Sequence, residues 1–338
     1  MKKKDFMYKI TSQQVEWKKK NISDKRTQTW TNGKVYEHLL PKDIWDQGVW
    51  NGIRQNLILY LMEHDVQAHT SKYSLRSSWV LCSNLYFPLK FSDYMRQLMV
   101  KFLKEKVSSS IQSIEDIELE FAFPVGDNLN PLDLLGEKEG RRGAGQTSPD
   151  IAFIVSTKNG KGLILIENKY SEGSFYRCSA RTRDGKNDKP GNPDPNRCMD
   201  KDDFTCYKDI CHQREWGRQY WDILRLSKLG RSTLNNCPAA TNGYQLFRQQ
   251  SLAEGIAVSG KFDLVINAVA YDNNNTSLIS CLRNTGVENW TKDWIKMFDG
   301  QSHFSTWTHQ EWVDFVRSNQ SRNKCKDWLE YVENRYGY

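Results

Sequence analysis

Two acidic residues and a lysine stand out for their types and spacing: Asp150 in SPDIAFIVST, and Glu167 and Lys169 in GLILIENKY. Two carboxylates suit Mg²⁺ or Mn²⁺, hard cations that keep several waters and take phosphate oxygen as a further ligand. Such an ion lowers the pKa of a bound water and neutralises charge developing on a phosphate. A lysine beside it can orient that water or stabilise the pentacovalent state. The chemistry these three groups would serve together is phosphodiester hydrolysis.

The elements that must position them are legible nearby. The two segments flank Lys158-Asn159-Gly160-Lys161, and an Asn-Gly pair between β-prone runs predicts a hairpin. With a two-residue turn Lys158 pairs with Lys161, so Asp150 falls opposite Lys169 and Ala152 opposite Glu167. Opposed residues share a face, and so do Glu167 and Lys169, two apart on one strand. Asp150, Glu167 and Lys169 then converge, with about 5 Å between opposed Cβ atoms and about 7 to 8 Å between the diagonal carboxylates. One bulge would break this register. The competing reading is a surface ladder in which Lys169 pairs with Asp150 across the strands. Against it, Ala152 and Ile154 face Leu163 and Leu165, so the charges project from the end of a buried strand pair.

Around this hairpin the apolar periodicity predicts helices over Lys42–Asp65 and Ser92–Lys106, the latter capped by Ser92 or Asp93. Residues 77–89 fit a short helix or a strand. A strand is expected over Ile117–Phe123, then a loop over Val125–Ser148, and an insertion rich in Gly, Pro, Asn and Asp over about 173–211. Helices follow over His212–Lys228 and Tyr244–Ala257, a central strand over Phe262–Tyr271, and a Trp-rich helical pattern from Trp290. The stretch before Thr31 reads as an irregular or partly helical arm. This order gives an α/β mixed sheet covered by helices, αβββαβ. The divisions expected are a basic, helical region over 1–90, a core over 91–272 and a helical region over 273–338, together one unit.

The chain has 338 residues with 38% hydrophobic and 26% charged, globular usage that argues against disorder. A net charge of +7 favours a polyanionic partner without identifying one. MKKKDFMYKI lacks the apolar stretch of a secretory signal, and the apolar run LILYLM is too short to span a bilayer. A cytoplasmic setting is the expectation, in which eight cysteines are reduced thiols or metal ligands before they are disulfides.

Ser148-Pro149-Asp150, a hydrophobic strand, and Ile166-Glu167-Asn168-Lys169 together resemble the PD-(D/E)XK nuclease signature. Glu120 in EFAFP, Lys169-Tyr170, Gln245-Leu246-Phe247-Arg248 and the C-terminal WLEYVENRYG extend the likeness to a group of largely uncharacterised prokaryotic, restriction-endonuclease-like proteins. The resemblance covers most of the chain from about Ser77. It implies a restriction-endonuclease-like core with helical additions at both ends, in which Asp150 and Glu167 bind Mg²⁺ and Lys169 assists the attacking water. The implied reaction is DNA cleavage leaving a 3′-hydroxyl and a 5′-phosphate, in restriction or another defence against foreign DNA. Glu120 would be a third acidic group, or else a solvent-facing strand residue. Gln245 resembles the glutamine of the QxxxY motif of RecB-like nucleases, which lies by the metal and contacts DNA. The tyrosine position is Gln249 here. Arg248, Trp216 and Lys19 are candidates for tracking phosphates. The alternatives are a RecB-like exonuclease and a catalytically silent nucleic-acid-binding module.

Cys178, Cys198, Cys206 and Cys211 lie in the poorly apolar insertion, with His212 beside the last and Cys237 downstream. Zn²⁺ or an iron–sulfur cluster would supply what that segment lacks in core. Some RecB-like nucleases carry a four-cysteine iron–sulfur cluster, but with different ligand placement. The spacing contains no CxxC pair, and free thiols are the competing reading; Cys82, Cys281 and Cys325 read as core or incidental residues. A homodimer is a further expectation, with the Trp-rich C-terminal region as one place for its interface.

Overall fold

In the computed structural model, which describes residues 3–29, 32–185, 189–199 and 206–338, five strands form a mixed sheet in chain order. They are β1 (Ile111–Leu119), β2 (Ile151–Thr157), β3 (Lys161–Lys169), β4 (Leu264–Tyr271) and β5 (His303–Thr308). β1 to β3 are antiparallel neighbours, whereas β4 and β5 run parallel to β3. The longer helices are α1 (Lys3–Asn21), α2 (Arg54–Glu63), α3 (Ser78–Tyr86), α4 (Asp93–Lys106), α5 (Tyr244–Val258), α6 (His309–Asn319) and α7 (Lys326–Tyr336). None of the described helices is long and apolar enough to cross a membrane.

Strands buried on both faces need apolar side chains on both, and β3 and β4 supply them. Ile164, Ile166, Ile266 and Ala268 point into a core shared with α1 to α4, α6 and α7. Leu163, Leu165, Val265 and Val269 point into a second core built with α5 and with Phe175 and Tyr207 of the insertion. The first core draws on residues from both ends of the chain, from Phe6 to Tyr338. Trp307, Trp312 and Trp328 are buried in it, and Trp290 and Trp294 in the second. These C-terminal tryptophans are therefore spent on internal packing.

Several expected elements form as read. Ser92 caps α4, its hydroxyl accepting from Met95 N at 3.3 Å, and α5 starts at Tyr244. The ambiguous stretch after Ser77 is helix α3, with Ser77 as its cap. The helix expected over Lys42–Asp65 is broken into a 3₁₀ segment at Lys42–Gly48 and α2. Asn84 holds the break, accepting from Trp50 N at 2.7 Å and donating to the Gly48 carbonyl at 3.2 Å. The helix expected over His212–Lys228 is also interrupted. Gly217 adopts a left-handed φ of 76° that closes the first short turn, and Gln219 N–H turns to the Leu135 carbonyl at 3.0 Å. The strand expected over Ile117–Phe123 is displaced to Ile111–Leu119, and HFSTWT, read as helical, is the edge strand β5.

The hairpin between β2 and β3 differs from the expected register by two residues. Ile151 pairs with Ile166 and Ser156 with Lys161, and Thr157 N–H donates to the Gly160 carbonyl at 2.7 Å, so Lys158-Asn159 form the loop tip. The Thr157 hydroxyl accepts from the amides of Asn159 and Gly160, a side-chain turn that competes with the Asn-Gly one. Asp263, which accepts from Lys161 N at 2.9 Å, fills the space a Cβ at position 160 would need. Gly160 is thus required for close approach rather than as a turn centre.

Candidate active site

A slip of two residues leaves every side chain on its original face. Continuing the observed pairing one step past Leu119, Ile151 and Ile166 brings Glu120, Asp150 and Glu167 side by side across three strand ends. Asp150 therefore stands beside Glu167, not Lys169. Glu120 N–H donates to the Asp150 carbonyl at 2.9 Å, and Asn168 N–H donates to Asp150 Oδ2 at 2.7 Å, which fixes the carboxylate at the end of β2.

Lys169, two residues along β3, lies on the same face and is buried with Glu167. Its Nζ donates to Glu167 Oε1 at 2.7 Å and to Gln245 Oε1 at 2.6 Å. The rings of Phe175 and Tyr176 cover it at 5.7 and 5.4 Å. Gln245 and Gln249, one helical turn apart on α5, both reach this cluster. Gln249 Nε2 donates to Glu167 Oε2, and Gln249 Oε1 is buried without a hydrogen-bond partner among the described residues.

Glu120 is buried and sits at φ 48°, a conformation uncommon for a residue with a side chain and concentrated at functional sites. It ends β1 and excludes the solvent-facing strand reading. Arg142 braces the turn, donating to the Leu119 carbonyl at 2.6 Å and to Tyr60 Oη at 2.6 Å. Next to it Gly143, at φ 81°, leaves no room for a Cβ, which would meet the Gln67 carbonyl and come within 3.2 Å of Glu120 Cγ. Gly143→Ala is expected to destabilise the fold by at least about 1–2 kcal/mol through backbone strain, readable as a lower denaturant midpoint.

Burial raises the proton affinity of Asp150, and Glu167 beside it raises it further, against the pull of Lys169 and the Asn168 amide. Glu120 is raised in the same way by burial and then by Asp150 and Glu167. Burial alone would lower Lys169, but Glu167 and then Glu172 outweigh it and hold the ammonium charged. As the side chains stand, no three His, Cys, Asp or Glu among the described residues are gathered tightly enough to hold an ion.

The other sequence candidates are placed differently. Arg248 is committed to the buried Glu137 at 3.2 Å and to Thr147 Oγ1 at 2.7 Å, so it ties the loop before Asp150 to α5. Trp216 donates to the Pro190 carbonyl at 3.0 Å, and Lys19 pairs on the surface with Glu16 at 3.0 Å. Cys178, Cys198 and Cys211 line one cavity, while Cys206 is exposed outside it and Cys237 takes part instead. His212 Nε2 faces the Pro190 carbonyl at 2.9 Å. Two further residues reach the site. Gln249, which the QxxxY comparison marks only as a departure from tyrosine, carries a signal in its i, i+4 relation to Gln245. Glu172 accepts from Tyr170 N at 2.9 Å and from Ser78 Oγ at 2.5 Å, and only its place three residues after Lys169 hinted at it.

Compared with known families, residues 11–337 match the family described as restriction endonuclease associating with ARP. The chain belongs to that family. Its five-stranded mixed sheet and flanking helices are those of a restriction-endonuclease-like core. This restriction-endonuclease family membership carries the nuclease class with it, while no curated protein and no solved structure matches the chain.

Proposed function

We propose that this protein is a Mg²⁺-dependent DNA endonuclease acting in restriction or another defence against foreign DNA. The observation that carries the reading is the row of Glu120, Asp150 and Glu167 across three strand ends, with Lys169 buried beside it. Burial and then neighbouring carboxylates raise the proton affinity of Asp150 and Glu120 even with Lys169 and Arg142 nearby, so the row has room for further positive charge, and hard oxygen donors suit Mg²⁺ or Mn²⁺. The unpartnered Gln249 Oε1 adds an acceptor for a water at the same place. Asp150 and Glu167 would hold the ion, with Glu120 as a third acidic group; bound there, it would activate water and neutralise charge on the phosphate.

The chain's own groups supply the rest. Lys169, charged and held by Glu167 and Gln245, orients the attacking water and offsets charge on the phosphoryl oxygens. Tyr176 and Phe175 shield that ammonium from bulk solvent. A cleft of about 460 Å³ opens beside Glu172 and Tyr176, whose ring covers Lys169, and is lined also by His38, His69 and Arg76, the place where a DNA strand would approach that lysine. The chain's net charge of +7 favours such a polyanion.

The test is incubation of the purified protein with supercoiled plasmid and Mg²⁺. Nicked and linear products with 5′-phosphate ends are expected, and none with EDTA. Degradation restricted to linear DNA would replace the endonuclease by a RecB-like exonuclease, and binding without cleavage would replace it by a silent binding module. Gln249→Leu removes a donor to a metal-binding carboxylate, so the Mg²⁺ concentration giving half-maximal cleavage is expected to rise about tenfold. An unchanged Mg²⁺ profile would remove Gln249 from the site.

A further inference from the structure

Four of the cysteines, from four separate stretches of chain, line one small cavity between the insertion and α5: Cys178, Cys198, Cys211 and Cys237. Cys198 and Cys237 are adjacent, the Cys237 N–H donating to the Cys198 carbonyl at 2.9 Å. The cavity is about 30 Å³, room for a single ion or a water or two and too little for an iron–sulfur cube.

Burial on its own keeps all four sulfurs protonated. The backbone N–H groups of Ala180, Gln213 and Ala239, each two residues beyond a cysteine, are aimed at Cys178, Cys211 and Cys237 and act against that burial. Gln213 Nε2 donates to Cys178 Sγ at 3.3 Å. Arg181 and Arg197 line the same cavity, two cations against the two net negative charges of four thiolates on one Zn²⁺. Three donors at this wall, Arg197 Nε, Tyr207 Oη and Trp221 Nε1, are buried without an acceptor among the described residues. Buried donors are rarely left unmade. Neutral thiols are weak acceptors, whereas metal-bound thiolates are strong ones.

We infer that Cys178, Cys198, Cys211 and Cys237 form a structural Zn²⁺ site. As the side chains stand they are not drawn tightly enough around a point to hold the ion, so loading turns the sulfurs inward by side-chain rotation. Each cysteine gives up its proton to solvent as its Zn–S bond forms, with no change of oxidation state. The site fastens the insertion to the catalytic helix. Phe175 N–H donates to the Asn242 carbonyl at 2.7 Å and Gln245 N–H to the Phe175 carbonyl at 2.9 Å, while Tyr244, next to Gln245, accepts from Gln213 at 2.9 Å. Loss of the ion therefore loosens the start of the helix that carries Gln245 and Gln249.

The test is elemental analysis of the purified full-length protein, followed by replacement with Co²⁺ alone. About one zinc per chain and the absorption of tetrahedral thiolate-bound Co²⁺ are expected. Cys237→Ser is expected to lower zinc content about tenfold or more, the loss an inner ligand brings, and Cys206→Ser and Asp150→Asn to leave it unchanged. Should Cys237→Ser not fold, thiol labelling of the wild type decides: four thiols are protected until a chelator is added. Wild-type protein free of zinc, iron with sulfide in its place, a Cys198–Cys237 disulfide, or equal loss in Cys206→Ser would overturn the assignment. None of these readouts depends on nuclease activity.

Discussion

Asp150→Asn is expected to lose DNA cleavage by about 10²–10³-fold or more while making the protein more stable in the absence of divalent cations. The two effects share one cause. Burial, then Glu167, raises the proton affinity of Asp150 above that of an unfolded aspartate. Between those two values the folded chain binds more protons than the unfolded one, so stability falls as pH rises through the raised value. An amide at this position removes that penalty and can still accept from the Asn168 amide. At neutral pH the variant is expected to melt about 1–2 °C higher for each kcal/mol relieved, with the gap closing near pH 4, where the wild-type carboxyl is protonated when folded. Mg²⁺ should raise the melting temperature of the wild type, because it binds only the folded site, and leave that of the variant unchanged. Thermal melts across pH, with and without Mg²⁺, read all three effects. A variant that is less stable at neutral pH, or that responds to Mg²⁺ as the wild type does, contradicts the account.

Lys169→Met should abolish cleavage to a similar extent but with the opposite effect on the fold. The substitution leaves Glu167, buried and 2.7 Å from the lost ammonium, with Gln249 as its remaining side-chain donor. Breaking a buried pair on one side costs about 3–5 kcal/mol, whereas replacing both partners can be nearly neutral. The double variant Lys169→Met with Glu167→Gln should therefore regain much of the stability and none of the activity. Lys169→Arg should not rescue cleavage, because a planar fork cannot take the place of an ammonium held between Glu167 and Gln245. Denaturant midpoints and cleavage rates on the same four proteins would separate the roles. A single variant as stable as the wild type would show that Glu167 does not depend on Lys169.

What the sequence disclosed about this site follows from which features have a short period. Alternation along a strand has period two, so Glu167 and Lys169 share a face whatever the turn does, and the two-residue error in register left Asp150 on that face. What it moved was the partner: Asp150 stands beside Glu167, because the Thr157 hydroxyl and the Asp263 carboxylate, the latter about a hundred residues away, reset the hairpin. Contacts across such separations leave no local pattern. For the same reason β5 was read as helix, since its strand character comes from pairing with β4. The left-handed turn at Glu120 depends on Arg142 and Gly143 folding back over it, and nothing local in EFAFP shows it. Gln249 was weighed against a tyrosine expected from resemblance, when its helical offset from Gln245 already put both on one side of α5. Cys178, Cys198 and Cys211 share a cavity with Cys237 while Cys206 lies exposed outside it, a grouping that spacing along the chain does not display.

The most direct measurement is the cleavage of supercoiled plasmid by wild-type protein and by Glu167→Gln, side by side in Mg²⁺ and in EDTA. Glu167 is the residue on which Lys169, Gln249 and the acidic row all converge. The account predicts nicked and linear products from the wild type in Mg²⁺ alone, and intact plasmid from the variant under both conditions. Cleavage that survives EDTA, or that proceeds equally in the variant, would contradict it.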